Sequence, residues 1–108
     1  MTFEELEKVF STELSGIFQI KIEFSITGDP VHAQCSMGKI PHNNGYLYWC
    51  RVNNDEIPAY TFCDFESLSR FCIANFQSLR ELWDQIEIRS IDGFSPRERL
   101  PVYLNDHR

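Results

Sequence analysis

The chain has 108 residues, 43% of them hydrophobic and 14% aromatic, with 16 acids against 10 bases for a net charge of −6. That length and apolar content suit one domain, 1–108, around one core, and nine Phe, four Tyr and two Trp argue against disorder. Excess negative charge repels phosphate, which disfavours direct nucleic-acid binding.

The charge is unevenly placed. Residues 1–66 hold ten acids and four bases, whereas 67–108 hold six of each. An acidic surface of this kind suits a basic partner protein. The alternative is that the charge serves solubility alone. Met1 to Phe10 contains Glu4, Glu5 and Glu7 and no apolar run, so neither a signal peptide nor a membrane anchor is read there. The expected location is cytoplasmic. Cys35, Cys50, Cys63 and Cys72 fit that compartment as reduced, buried, small apolar groups. No CxxC or CxxH pair is present, and no metal or cofactor is expected.

The first element is a helix. Thr2 and Glu5 have capping-box spacing, and Phe3, Leu6, Val9, Phe10 and Leu14 recur on one face, with Gly16 as the stop. Glu4, Glu7 and Glu13 occupy its solvent face. Ile17 to Ile26 then reads as a strand. Phe18, Ile20, Ile22, Phe24 and Ile26 alternate with Gln19, Lys21, Glu23 and Ser25. Thr27 to Pro30 is a turn. Val31, Ala33, Cys35 and Met37 alternate with His32, Gln34 and Ser36 as a second strand.

Asn44-Gly45 signals a type I′ hairpin. The third strand, Tyr46 to Val52, is apolar on both faces, with Tyr46, Tyr48, Cys50 and Val52 on one and Leu47 and Trp49 with Arg51 on the other, so either it is central and covered on both sides or one aromatic row is exposed. After a turn at Asn53 to Glu56, Ile57 to Cys63 is a fourth strand, and Pro58 places its first part at a sheet edge or a bulge.

Asp64 is the next cap. A stripe of Phe65, Leu68, Phe71, Cys72, Phe76, Leu79, Leu82, Trp83 and Ile86 predicts a long helix over 65–86, with one kinked helix favoured over two that break near Asn75 to Ser78. Ile86, Ile88 and Ser90 alternate with Glu87 and Arg89, which allows a fifth strand. Residues 94–108, with Pro96 and Pro101, read as an irregular tail docked by Val102, Tyr103 and Leu104. The predicted fold is α+β, in the order αββββα. It has a four- or five-stranded, mainly antiparallel sheet with its helices on one face.

No catalytic constellation emerges. His32, His42 and His107 are dispersed, and a hydrolase triad needs a His beside a Ser or Cys. Asp55 with Glu56 reads as turn chemistry, Asp64 with Glu66 as capping. No phosphate-loop, dinucleotide, zincin or nucleophile-elbow motif occurs. Arg97 and Arg99 form the one basic spot, with an intramolecular tie to the acidic half as the alternative to a partner contact.

The aromatic residues Tyr46, Tyr48, Trp49 and Tyr60 are the better lead, because such side chains anchor interfaces. Together with Glu4, Glu7, Glu13, Asp55 and Glu56 they form the expected partner-binding set. In size, charge and lack of a catalytic motif the chain looks like small acidic phage or mobile-element inhibitors and bacterial immunity proteins. The expected function is therefore a non-enzymatic inhibitor that blocks a larger, basic protein, and a homodimer is compatible with it. The alternative is a dimeric module that binds a small ligand or nucleotide, with Trp49, Tyr48 and His32 in its pocket.

Overall fold

A computed structural model describes residues 1–12, 19–53, 59–74 and 76–104. The fold is α+β, as the sequence predicts. A helix precedes a five-stranded antiparallel sheet whose strands lie side by side in the order Tyr60–Phe62, Gly45–Arg51, Cys35–His42, Ile20–Ile26 and Ile86–Ile91, and a short helix ends the described chain. The helices contribute to one core against one sheet face.

Helix α1 spans Phe3–Ser11. The predicted capping box closes it. Glu5 N–H donates to Thr2 Oγ1 at 3.1 Å, and Thr2 N–H donates to Glu5 Oε1 at 2.8 Å. The helix ends before Gly16. The Ser11 and Thr12 hydroxyls both donate to the Lys8 carbonyl and compete with further turns. Leu6, Val9 and Phe10 are buried. The expected contributions of Leu14, Gly16, Ile17 and Phe18 lie outside the described residues.

Strand β1, Ile20–Ile26, buries Ile20, Ile22, Phe24 and Ile26 as its alternation requires. The second strand starts later than the sequence suggests. Pro30–His32 is a 3-10 turn, because Asp29 Oδ1 accepts from Val31 N–H and His32 N–H and Pro30 needs no hydrogen bond at that position. Strand β2 is Cys35–His42 and strand β3 is Gly45–Arg51. His42 pairs with Gly45, so the two-residue loop is Asn43-Asn44, one residue earlier than the Asn-Gly signal. Both take positive φ, 45° and 66°, as a type I′ turn demands, and Asn tolerates that region. Strand β4, Tyr60–Phe62, is a short edge. The turn around Asp55 and Glu56, and Pro58, lie outside the described residues.

The long helix over 65–86 is not formed. Helix α2 spans Phe65–Arg70, with Ser67 N–H donating to the Asp64 cap at 2.7 Å. A small hairpin follows, of β5, Cys72–Ala74, and β6, Gln77–Ser78. A 3-10 turn at Trp83–Gln85 then leads into strand β7, Ile86–Ile91, which is the fifth strand that the alternation allows. The Ser69 hydroxyl donates back to the Glu66 carbonyl at 2.7 Å, and the aromatic and β-branched run Phe71 to Ile73 favours extended backbone. Leu68, Ile73, Leu79 and Leu82 still reach the core, so the apolar stripe is satisfied by a folded-back chain as well as by a helix.

The expected irregular tail is instead partly helical. Helix α3 spans Pro96–Leu104. Pro96 sits at its first position, and Glu98 N–H donates to Ser95 Oγ at 3.2 Å. Tyr103 is buried, so the docking expected of this segment is real. Its hydroxyl donates to Asp92 Oδ2 at 2.5 Å, and Arg99 Nε donates to the same oxygen at 3.0 Å. The tie expected of Arg99 is thus intramolecular, to Asp92 of the neutral half of the chain. Burial pushes the Tyr103 phenol above its ordinary range, with the Asp92 carboxylate acting the same way.

The core joins Leu6, Val9 and Phe10 of α1, Leu68 of α2 and Tyr103 of α3 to Ile20, Ile22, Phe24, Met37, Cys50 and Ile91 of the sheet. Lys39 of β2 also points to this side and is buried. Its ammonium donates to the Phe10 carbonyl at 2.5 Å, closing the end of α1. The described hydrophobic core lies on the helical face of the sheet, and among the described residues no helix is long and apolar enough to cross a membrane. All four cysteines are free. Cys35 and Cys50 are buried, whereas Cys63 and Cys72 are exposed, contrary to the expectation that all four are core.

Candidate functional site

Strand alternation divides the predicted aromatic set. Tyr46 and Tyr48 project to the helical side of β3. Tyr46 receives the Lys39 ammonium 4.3 Å from its ring, and Tyr48 packs on Phe10 with centroids 6.0 Å apart. Tyr60 of β4 shares that side, 4.7 Å from Phe71, and keeps 45% of its surface exposed. Trp49 projects to the opposite face, so the four rings do not form one surface. The pocket expected of Trp49, Tyr48 and His32 is likewise not assembled. Tyr48 and Trp49 alternate across β3, and the His32 ring is held in its turn, with Nδ1 2.8 Å from Asp29 Oδ2. That contact holds the Asp29 carboxyl below its ordinary range.

The predicted acids are also divided. Glu4 and Glu7 are exposed on α1, whereas Glu13, Asp55 and Glu56 lie outside the described residues. The fold supplies a different arrangement on the helical side. A concavity of about 580 Å³ opens between the start of α1 and the segment 80–86. Its carboxylates are Glu4 and Asp84, and its rings are Phe3 and Trp83. Trp83 meets Phe3 edge-on at 5.8 Å, and its indole N–H donates to the Met1 carbonyl at 3.0 Å. The Arg80 guanidinium lies 5.2 Å from the Phe3 ring. Glu4 thus belongs to a surface where acids and aromatics meet, but with Phe3 and Trp83 in place of the strand tyrosines. Sequence reasoning assigned both of those rings to helix faces in the core. The capping boxes at Thr2–Glu5 and Ser78–Glu81 position the two walls. They are the local signal from which the groove could have been suspected.

The opposite sheet face has its own centre at Trp49. Across the strands, Thr61, Trp49, Gly38 and Lys21 are register partners in one row. A Cβ on Gly38 would collide with the Ile20 carbonyl and come 2.8 Å from the indole, so glycine makes the space that the indole occupies. Ile40 and Leu47 flank the ring, and the Arg51 guanidinium carbon is 5.9 Å from its centroid.

Among the described residues, His, Cys, Asp and Glu form no group able to hold a metal ion. Comparison with protein-family models, with curated proteins and with solved structures finds no match for this chain.

Proposed function

We propose that this chain is a small non-enzymatic protein that binds a larger, basic protein and blocks it, in the manner of acidic phage inhibitors and bacterial immunity proteins. The supporting observation is the groove in which the Glu4 and Asp84 carboxylates flank Phe3 and Trp83. A partner Lys or Arg entering it meets two carboxylates beside the Trp83 ring, a combination that gives both charge pairing and cation–π attraction. The chain's own Arg80, held over Phe3, is an internal instance of the second contact. The net charge of −6 steers such an encounter at long range. The proposal places the protein in the cytoplasm, where its four thiols stay reduced.

The test compares the wild-type chain with the Glu4→Lys/Asp84→Lys double variant as parallel baits in a lysate, followed by kinetics on the captured protein. Both positions are exposed, so the fold should survive the charge reversal. The association rate should fall at least tenfold, and the wild-type rate should fall with rising salt. An unchanged affinity in the folded variant removes this reading.

A further inference from the structure

On the sheet face opposite the helices, a second concavity of about 390 Å³ surrounds Trp49. Its walls include Ile40, Leu47 and Thr61, and its charged groups are Lys21 and Arg51. Both charged residues lining this concavity are cations, whereas Glu23, in the register row of Arg51 and accepting from the Ser90 hydroxyl, and Asp92 line an adjoining concavity that shares Lys21, Ile40 and Trp49. Arg51 Nε is buried and has no hydrogen-bond partner among the described residues. Such an orphan is costly in a folded protein, and an anion would satisfy it. Trp49 supplies a flat apolar wall, and the volume lies in the range of small-molecule pockets.

We infer that this face binds a free mononucleotide, its base against the Trp49 indole between Ile40 and Leu47, and its phosphate between Lys21 and Arg51. Each part answers to one observation. The two cations and the unpaired N–H call for an anion. The indole with its aliphatic flanks calls for a planar, weakly polar body, and stacking on Trp is tolerant of which base is present. Free nucleotide is favoured over a nucleic-acid strand because the rest of this acidic molecule repels a polyanion beyond the site. The inference does not rest on the groove at Glu4 and Asp84, which lies on the helical side.

The experiment titrates the wild-type chain with AMP, GMP, CMP and UMP by calorimetry, up to about 5 mM, a range that covers weak binding. Adenosine, inorganic phosphate and an eight-nucleotide single strand serve as comparisons. At least one mononucleotide should bind saturably, and adenosine and phosphate should each bind at least tenfold more weakly. Trp49→Ala and Arg51→Gln should each cut affinity at least tenfold with an unchanged far-UV spectrum. If Trp49→Ala unfolds, backbone amide shifts of the wild type on titration replace it, and they should concentrate at Lys21, Trp49 and Arg51. No saturable binding, binding unchanged in folded Arg51→Gln, or shifts centred elsewhere would overturn the inference. A single strand binding more than tenfold tighter than any mononucleotide would overturn the free-ligand assignment.

Discussion

Gly38 and Lys39 are neighbours on β2 with opposite duties. Gly38 faces away from the core, where the Ile20 carbonyl and the Trp49 indole leave no room for a Cβ. Gly38→Ala should therefore destabilise the protein by roughly 1–3 kcal/mol, the usual cost of overpacking, measured by urea denaturation. A variant as stable as wild type would show that the strands separate without penalty there. Lys39 faces the core and is 3% exposed. Its ammonium meets the Phe10 carbonyl at 2.5 Å, and the Thr12 carbonyl lies at 3.5 Å. A buried cation donating to carbonyls at a helix end is favourable both as a hydrogen bond and against the helix dipole. Lys39→Ala removes those bonds and leaves a cavity. The expected loss is about 2–4 kcal/mol in the same measurement. Sequence alternation alone places a lysine at this register without explaining it, because α1's end arrives from 29 positions away.

At the scale of elements, short caps carry much of the order. Asp29 at the 3-10 turn, Asp64 at α2 and Glu81 in the turn after β6 all have carboxyls below their ordinary range. The largest causes are the hydrogen bond with the His32 side chain, the Ser67 N–H and the Ser78 N–H, respectively. A depressed carboxyl contributes stability above its unfolded-state pKa and loses it as pH falls through the lower, folded-state value. Stability should therefore fall on acidification from about pH 5 towards about pH 3, across and below the ordinary carboxylate range. Asp64→Asn should flatten that fall in urea midpoints taken across the window. An equally steep fall in the variant would show that its cap does not contribute. The same caps explain what was readable. Thr2–Glu5 and Asp64 mark true helix starts, and Ser78–Glu81 marks a real turn. Ser95–Glu98 has the same spacing and starts α3, a local signal that the two prolines mask.

For the whole molecule, burial separates the cysteines into two classes. Cys63 and Cys72 are exposed, and Cys35 and Cys50 lie in the core. Brief alkylation of the native protein should modify two thiols, at Cys63 and Cys72, with all four modified after denaturation without reductant. Mass spectrometry of the peptides reads both results. Modification of Cys35 or Cys50 at a comparable native rate would contradict the core as described, and a mass two hydrogens short would reveal a disulfide. The distribution of charge and aromatics belongs to this scale too. The groove of Glu4, Phe3, Trp83 and Asp84 joins distant chain segments, linked across 82 positions by the bond from Trp83 to the Met1 carbonyl.

By itself, the sequence determined the features whose causes are local. These are the capped first helix, the period-two alternation of β1, the hairpin between β2 and β3, and the apolar character of β3 on both faces. Each depends on hydrogen bonds or side-chain periodicity within a few residues. Tertiary structure alone decided the path of residues 71–86 and the division of the aromatics between two surfaces. A stripe of large apolar residues every three or four positions reaches a core from a long helix. It also does so from a short helix, a small hairpin and a 3-10 turn in succession. Periodicity alone does not choose between them, and in the structure this segment joins the common core and places β7 beside β1. Trp49 shows the same division of labour at one residue. Alternation set it opposite Tyr48, and which face lies away from the core was decided by where the helices docked.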